Sequence, residues 1–212
     1  MSEVILIGGG GHARVLAGIA LRDGVLSLAG YTDLRDRGAL CGLPYLGTDE
    51  ALSARVQRCD LLLGVGLMED APARWHLYRR HKEAGLVFVR FVSSRASVAR
   101  DVILGEGTVI CDFAVVNPGA HLGEACIVNT GAIVEHDCRL GDNVHVSPHA
   151  TLCGDVTVGD HCLIGAGATV IPGVRIAGGS IIGAGAVVTT DAAEPGTYLG
   201  VPAARRGEGM RG

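Results

Sequence analysis

The stretch IVEHDCRLGDNVHVSPHA, Ile133 to Ala150, places Val134, Leu140 and Val146 six residues apart. The interval continues in both directions. From Val98 onward the chain divides into sixteen consecutive hexads, the last opening at Val188, and every first residue is Ile, Leu or Val. The fifth residue is small or slim throughout: seven Ala, four Val, three Cys, one Thr and one Ser. Gly stands second in six hexads, as in Leu104-Gly105 and Ile164-Gly165. A helix turning every 3.6 residues cannot hold a six-residue stripe on one face, whereas short strands separated by tight corners can. The spacing therefore predicts a parallel β-helix with three hexads to a coil. The aliphatic residue points inward from each flat side, and the small residue fits where the chain turns. Successive coils lie roughly 4.8 Å apart and share backbone hydrogen bonds. Val92 to Ser97 reads as one further hexad, which softens the boundary.

Composition agrees with this architecture. The 212 residues include 33 Gly, with 48% hydrophobic but only 4% aromatic side chains, so the core must be built from small and branched aliphatics. A net charge of -4 argues against a nucleic-acid surface. The one basic cluster, ARRGEGMRG at the C-terminus, reads as a soluble tail. The opening MSEVILIGGGG lacks the basic region of a signal peptide, and no 18 apolar residues run together to span a membrane. A cytoplasmic protein is expected. Seven cysteines, an odd number without a CxxC pair, read as small buried thiols in a reducing compartment. No tight Cys/His ligand pair points to a metal.

Residues 1–90 read differently. VILIGGGGHARVLAGIALRDG is a strand, a glycine-rich turn and a helix ending near Gly24; LAGYTD is a second strand with Asp33 at its end. Asp49 to Arg58 looks helical, CDLLLGVG is a third strand, DAPARWHLYRRHKEAG a second helix, and LVFVRFV a fourth strand. Alternating strands and helices imply a small Rossmann-like parallel sheet. The expected chain is thus an α/β front domain, residues 1–90, followed by an all-β parallel β-helix, residues 91–212. Gly8, Gly10 and Ala13 match G-x-G-x-x-A, with Asp33 about twenty residues on. That motif alone suggests a nicotinamide dehydrogenase, but the sheet is too short for a second mononucleotide half. Half a Rossmann unit, whose helix N-terminus favours a phosphate, fits a nucleotide-linked substrate better.

GAGATVIPG, GGSIIGAGAVV and YLGVPA resemble the acyltransferases of the left-handed β-helix (hexapeptide-repeat) superfamily, and the left hand is taken from that resemblance. With IGGGGHARV and IVNTGAIVEHDCRLGDNVHVSP, essentially the whole chain is similar to one branch. It holds the N-acetyltransferases of nucleotide-linked amino sugars and the related sialic acid O-acetyltransferases. The resemblance implies that His136 is the catalytic base and Asp137 the acid that raises its basicity. It also implies that His145 contacts acetyl-CoA, and that the backbone at Ala166 and Ala184 holds the pantetheine arm. Gly154 is a candidate oxyanion donor, and Asn129 a residue near the substrate amine. Gly11, His12, Asp33 and Gly66 correspond to nucleotide-sugar contacts. A homotrimer with sites between neighbouring β-helices is implied, with acetyl-CoA as cosubstrate and no metal, nucleic acid or membrane partner.

These residue types suit the chemistry. An amine attacking a thioester gains positive charge, and an imidazole with an ordinary pKa near 6.5 is matched to removing the proton. The thioester oxygen needs donors already in place. No Ser or Cys sits in a nucleophile setting, so direct transfer is expected. Sialic acid O-acetylation is the nearest rival, and a non-catalytic hexapeptide scaffold the more distant one.

Overall fold

The computed structural model describes residues 3–52, 59–66 and 71–206. Two compact units divide the chain, Met1–Ser94 and Arg95–Gly212. In the second unit each hexad becomes a two-residue strand and a corner. Ile133–Val134 pairs in parallel with Val115–Val116 on one side and Thr151–Leu152 on the other, so strands 18 residues apart are neighbours. Three flat faces result. One carries Val109–Ile110, Ile127–Val128 and His145–Val146; the next Val115–Val116 and Ile133–Val134; the third His121–Leu122 and Arg139–Leu140. The first residue of the hexad points inward as expected: Ile110, Val128, Val134, Val146, Leu152 and Ile164 are fully buried. Each such side chain contributes roughly 1.5–3 kcal/mol of burial energy.

The corner is sharper than the small fifth residue alone suggests. The N–H of the fifth residue donates to the carbonyl of the second, as in Ala132 to Asn129 (3.0 Å) and Ala168 to Gly165 (3.0 Å). The fourth residue has positive φ in fourteen successive hexads, from Gly107 (+72°) to Gly185 (+67°). This is a type II turn, whose third residue must be left-handed. Glycine fills half of these positions, and Asp137, Asn143, His149, Asp155 and His161 fill five more, the residue types that tolerate that region best.

The cysteines have a matching logic. The buried thiols of Cys126, Cys138 and Cys162 donate to the carbonyls of Gly141 (3.1 Å), Cys153 (3.2 Å) and Ala177 (3.2 Å), each fifteen residues on in the next coil. Burial pushes Cys138 and Cys162 up to about 11 and Cys111 up to about 12. These thiols are packing groups rather than nucleophiles.

Of the tail expected at residues 204–212, only 204–206 are described, and they are held by pairing; 207–212 lie outside the described residues. Thr197–Leu199 extends a solenoid face and pairs antiparallel with Ala204–Arg205. The reversal at YLGVPA lets the chain cover its own last strand, whose exposed edge would otherwise offer unpaired backbone groups. An Arg205–Glu194 ion pair (2.6 Å) ties the reversal down.

In the first unit the parallel sheet has the order β2-β1-β3, with β1 Glu3–Ile7, β2 Leu28–Thr32 and β3 Cys59–Leu63. Helix α1, Gly11–Asp23, ends as expected at Gly24, left-handed at φ +63°. Helix α2 spans Ala71–Glu83. The segment expected as a fourth strand makes a single bridge, Leu61 to Phe88, before the short strand Phe91–Val92. Its alternation is real, since Leu86 and Phe88 are buried and Val87 is exposed, but its pairing with the β2-β1-β3 sheet is confined to Leu61. Asp49–Leu52 forms a 3-10 turn; the rest of the helix expected there, residues 53–58, lies outside the described residues.

Candidate active site

His136 and Asp137 are the third and fourth residues of one corner. The left-handed φ of Asp137 (+61°) folds its carboxylate back toward the preceding residue, and Oδ2 lies 2.9 Å from His136 Nδ1. A carboxylate only accepts, so Nδ1 carries the proton and Nε2 presents a lone pair. Both side chains are exposed, at 62% and 66%. The Asp137 hydrogen bond raises the His136 pKa above its ordinary value; desolvation opposes this, and the charges of Asp137, Glu135 and Asp155 reinforce it.

Two glycines make room for the pair. A Cβ on Gly154, 18 residues after His136, would stand 2.5 Å from Nε2, and a Cβ on Gly119, 18 residues before Asp137, would stand 2.6 Å from Oδ1. Glu135, half-buried beside His136, accepts a hydrogen bond from Asn117 Nδ2 (2.8 Å). Sequence reading did not assign Asn117, Gly119 or Asp155 a role. The signal that finds them is the 18-residue offset itself, which pairs 117 with 135, 119 with 137 and 137 with 155.

If His136 acts as the base expected from the sequence, it must be unprotonated, and activity is then expected to fall as pH falls through its raised pKa. Asp137→Asn removes the largest cause of that elevation. The acid limb of the kcat/KM profile is therefore expected to move to lower pH, together with a fall in rate. An unmoved limb would assign the titration to another group.

His145 lies elsewhere on the solenoid. It is 9% exposed, on the face of Val109–Ile110 and Ile127–Val128, whereas His136 follows the face of Ile133–Val134. Asn129 joins it, with Nδ2 3.1 Å from His145 Nε2. Ala166 and Ala184 occupy the third position of one corner in successive coils. Among the described residues, the N–H groups of Gly154, Ala166 and Ala184 meet no acceptor within the chain. A Cβ on Gly165 would stand 2.6 Å from Ala184 N, so this glycine keeps one of those donors uncovered. His121 and His149 are exposed, whereas His161 is half-buried against Asn143 (3.3 Å).

In the first unit, Asp33 and Gly66 line a cavity of about 500 Å³ together with Gly8, Arg37, Arg74 and Arg80. Asp33 Oδ2 accepts from Gly9 N (2.8 Å) and Oδ1 from Arg35 N (3.1 Å), so the carboxylate braces the glycine turn. Gly11 and His12 open α1 and are not part of the cavity lining; His12 Cβ lies 3.4 Å from where a Cβ on Gly66 would stand. The N-cap of α1 is Gly10, with no side-chain cap. Three arginines, which sequence reading did not single out, line the cavity with Asp33 and Asp49; Arg37 pairs with Asp33 (3.6 Å) and Arg80 with Asp49 (2.7 Å), so the lining carries one net positive charge, which favours an anionic occupant.

A three-faced solenoid with a His–Asp pair at a corner and outward backbone donors defines an acyltransferase of the hexapeptide class. Residues 119–154 and 155–190 match the bacterial transferase hexapeptide family, and residues 3–81 match the PglD N-terminal domain. No curated protein matches the chain. Among solved structures, the acetyltransferase domain of PglB from Neisseria gonorrhoeae FA1090, in complex with acetyl coenzyme A, is 32% identical over 97% of this chain and 99% of that one, with a TM-score of 0.92. PerB from Caulobacter crescentus, in complex with CoA and GDP-perosamine, is 37% identical over 98% of each chain (TM-score 0.90). WeeI from Acinetobacter baumannii AYE, at 23% identity over 97% of this chain and 100% of that one, shares the fold (TM-score 0.85). The chain belongs to the acetyl-CoA-dependent sugar N-acetyltransferases that join a PglD-type N-terminal domain to a hexapeptide-repeat domain. Its small parallel-sheet unit and parallel solenoid of about six turns are consistent with the left-handed β-helix expected of them.

Proposed function

We propose that this protein transfers acetyl from acetyl-CoA to the amino group of a nucleotide-linked amino-deoxy sugar, for bacterial surface glycan synthesis. The observation that carries this reading is the His136–Asp137 pair, whose geometry leaves Nε2 as a bare base. The amine nitrogen attacks the thioester carbonyl, and His136 Nε2 takes the proton that nitrogen sheds. Asp137 stabilises the resulting imidazolium. Collapse of the tetrahedral intermediate forms the amide, breaks the C–S bond and releases CoA, which recovers a proton from His136. The Gly154 N–H is the candidate oxyanion donor, and the Ala166 and Ala184 N–H groups suit the amide carbonyls of the pantetheine arm. With Cys111, Cys138 and Cys162 held as high-pKa thiols, no acyl-enzyme is invoked.

The cavity of the first unit supports the nucleotide end. Arg37, Arg74 and Arg80 line it and suit a diphosphate, while Asp33 suits a ribose hydroxyl and Gly66 lies in the same lining; Gly11 and His12, outside that lining at the start of α1, are kept as nucleotide-sugar contacts on the family resemblance alone. The acceptor of PerB, GDP-perosamine, makes a nucleoside-diphosphate amino sugar the first to try. A homotrimer is part of the proposal. The face of Ile133–Val134 presents Val115, Ile133, Thr151, Thr169 and Val187 outward, all half-buried and with branched side chains, which suits contact with a second copy. Both substrates are cytoplasmic metabolites, so we place the protein in the cytoplasm; among the described residues no helix is long and apolar enough to cross a membrane.

Thiol release from acetyl-CoA is the test, run against GDP- and UDP-linked amino sugars and sialic acid, with products weighed by mass spectrometry. An N-acetylated nucleotide sugar is expected. Turnover of sialic acid alone would move the acceptor from nitrogen to oxygen and overturn the proposal.

A further inference from the structure

Helix α2 brings Arg80 and His81 to one carboxylate. Asp49 Oδ2 accepts from Arg80 Nη2 at 2.7 Å and lies 3.2 Å from His81 Nε2, while Thr32 Oγ1 donates to Oδ1 at 2.8 Å. Burial opposes ionisation of Asp49, but the hydrogen bonds from His81 and Thr32 outweigh it and hold the carboxyl below its ordinary range. A carboxylate only accepts, so His81 carries its first proton on Nε2. The ring is nearly buried, and it lines a second cavity of about 430 Å³ that shares Leu34, Asp49 and Arg80 with the first. Among the described residues, the charged groups around this ring are Asp49 and Glu50 of the 3-10 turn and Arg80 of its own helix. The segment after α2 contributes the uncharged Leu86 and Phe88.

The three arginines of the first cavity are not equally placed to meet an anion. Arg74 is buried, with Nε donating to the Val65 carbonyl (2.7 Å), and Arg37 stands beside Asp33. Arg80 is 63% exposed, and its carboxylate partner already has a second donor in reach. We propose that Arg80 passes from Asp49 to the diphosphate when a nucleotide-linked sugar binds, and that His81 takes its place by gaining a proton from solvent. While Arg80 sits on Oδ2, a second cation on a nearly buried ring is in surplus. Once Arg80 has turned to phosphate, the half-buried Asp49 needs another cation, and an imidazole, which titrates near neutral pH, supplies it. His81 is thus a positioning residue that holds Asp49 while Arg80 holds the ligand. The handover rests on the nucleotide-sugar reading given above.

The test is calorimetry with GDP-mannose and UDP-glucose in two buffers of unlike ionisation enthalpy, since neither ligand carries a group that titrates near neutral pH. Whichever binds should bring about half a proton into the protein near neutral pH. The complex then holds more protons than the free protein, so affinity should fall about threefold for each unit rise in pH. His81→Gln should bind without uptake. Arg80→Gln, a change at an exposed side chain, leaves Asp49 to His81 from the outset; it should lose uptake with the ring intact and bind about tenfold more weakly. Binding without uptake in the unaltered protein would overturn the handover and leave the nucleotide reading standing, whereas binding of neither sugar would overturn both. Uptake that persists in His81→Gln would put the proton elsewhere, His12 beside Gly66 included, and would overturn the handover, as would undiminished uptake in Arg80→Gln.

Discussion

His136→Ala is expected to lower kcat/KM by about 10²- to 10⁴-fold, the span that a positioned general base supplies. The loss should fall on turnover rather than folding. His136 projects from a corner with 62% of its side chain exposed, and the buried ladder beneath runs through Val134 and Cys138, which the change leaves alone. Circular dichroism and the melting temperature should therefore match the parent, and acetyl-CoA affinity should change little. His136→Gln separates shape from basicity, since it keeps a polar side chain at the corner without a titratable nitrogen, and it should be as impaired as the alanine variant. Activity within tenfold of the parent in both variants would place the base elsewhere.

Gly154→Ala should be nearly as damaging, although it adds one methyl group to a residue that donates no side chain. The backbone there is not left-handed, so alanine brings no conformational strain of its own. The added Cβ would instead stand 2.5 Å from His136 Nε2 and 2.6 Å from Cε1, closer than real carbon contacts allow. The exposed ring can swing toward solvent at little cost to the fold, but its lone pair then leaves the position set by Asp137. A displacement of about 1 Å at a reacting group is enough to lose on the order of 10²-fold in rate. We expect kcat to fall by that order with the melting temperature unchanged. A variant of parental activity would show that the ring does not work from its place above Gly154.

The sequence shows the repeat and the His136–Asp137 pair but hides much of what seats them. A six-residue period is visible because its first residue is always aliphatic and always inward, so a single physical demand is repeated sixteen times. His136 is conspicuous because neither demand of the hexad asks for it. The left-handed fourth position was harder to see, since Gly, Asp, Asn and His meet the same demand with unlike side chains, and Phe113 and Ala125 occupy it as well. The contacts of Gly154 and Gly119 with the pair depend on which residues fall on adjacent coils. That becomes readable only once three hexads are known to close a turn. In the first unit, strand β1, the glycine turn and Asp33 were legible from their pattern. The arginines around the cavity were not, because Arg74 and Arg80 belong to a helix whose polar residues read equally well as a solvated face.

The pairing of strands 18 residues apart also restricts how such a chain can change length. Removing one hexad between His136 and Gly154 would leave every downstream aliphatic residue pointing inward, and the core would hardly register the loss. Each later corner would nevertheless rotate by a third of a turn about the solenoid axis. The residue now at 160, an aspartate, would arrive beneath His136 in place of the glycine. Removing a whole coil beyond the pair would preserve every vertical neighbour at the site. Viable insertions and deletions inside this solenoid should therefore come in whole coils, a grain size imposed by the active site rather than by stability.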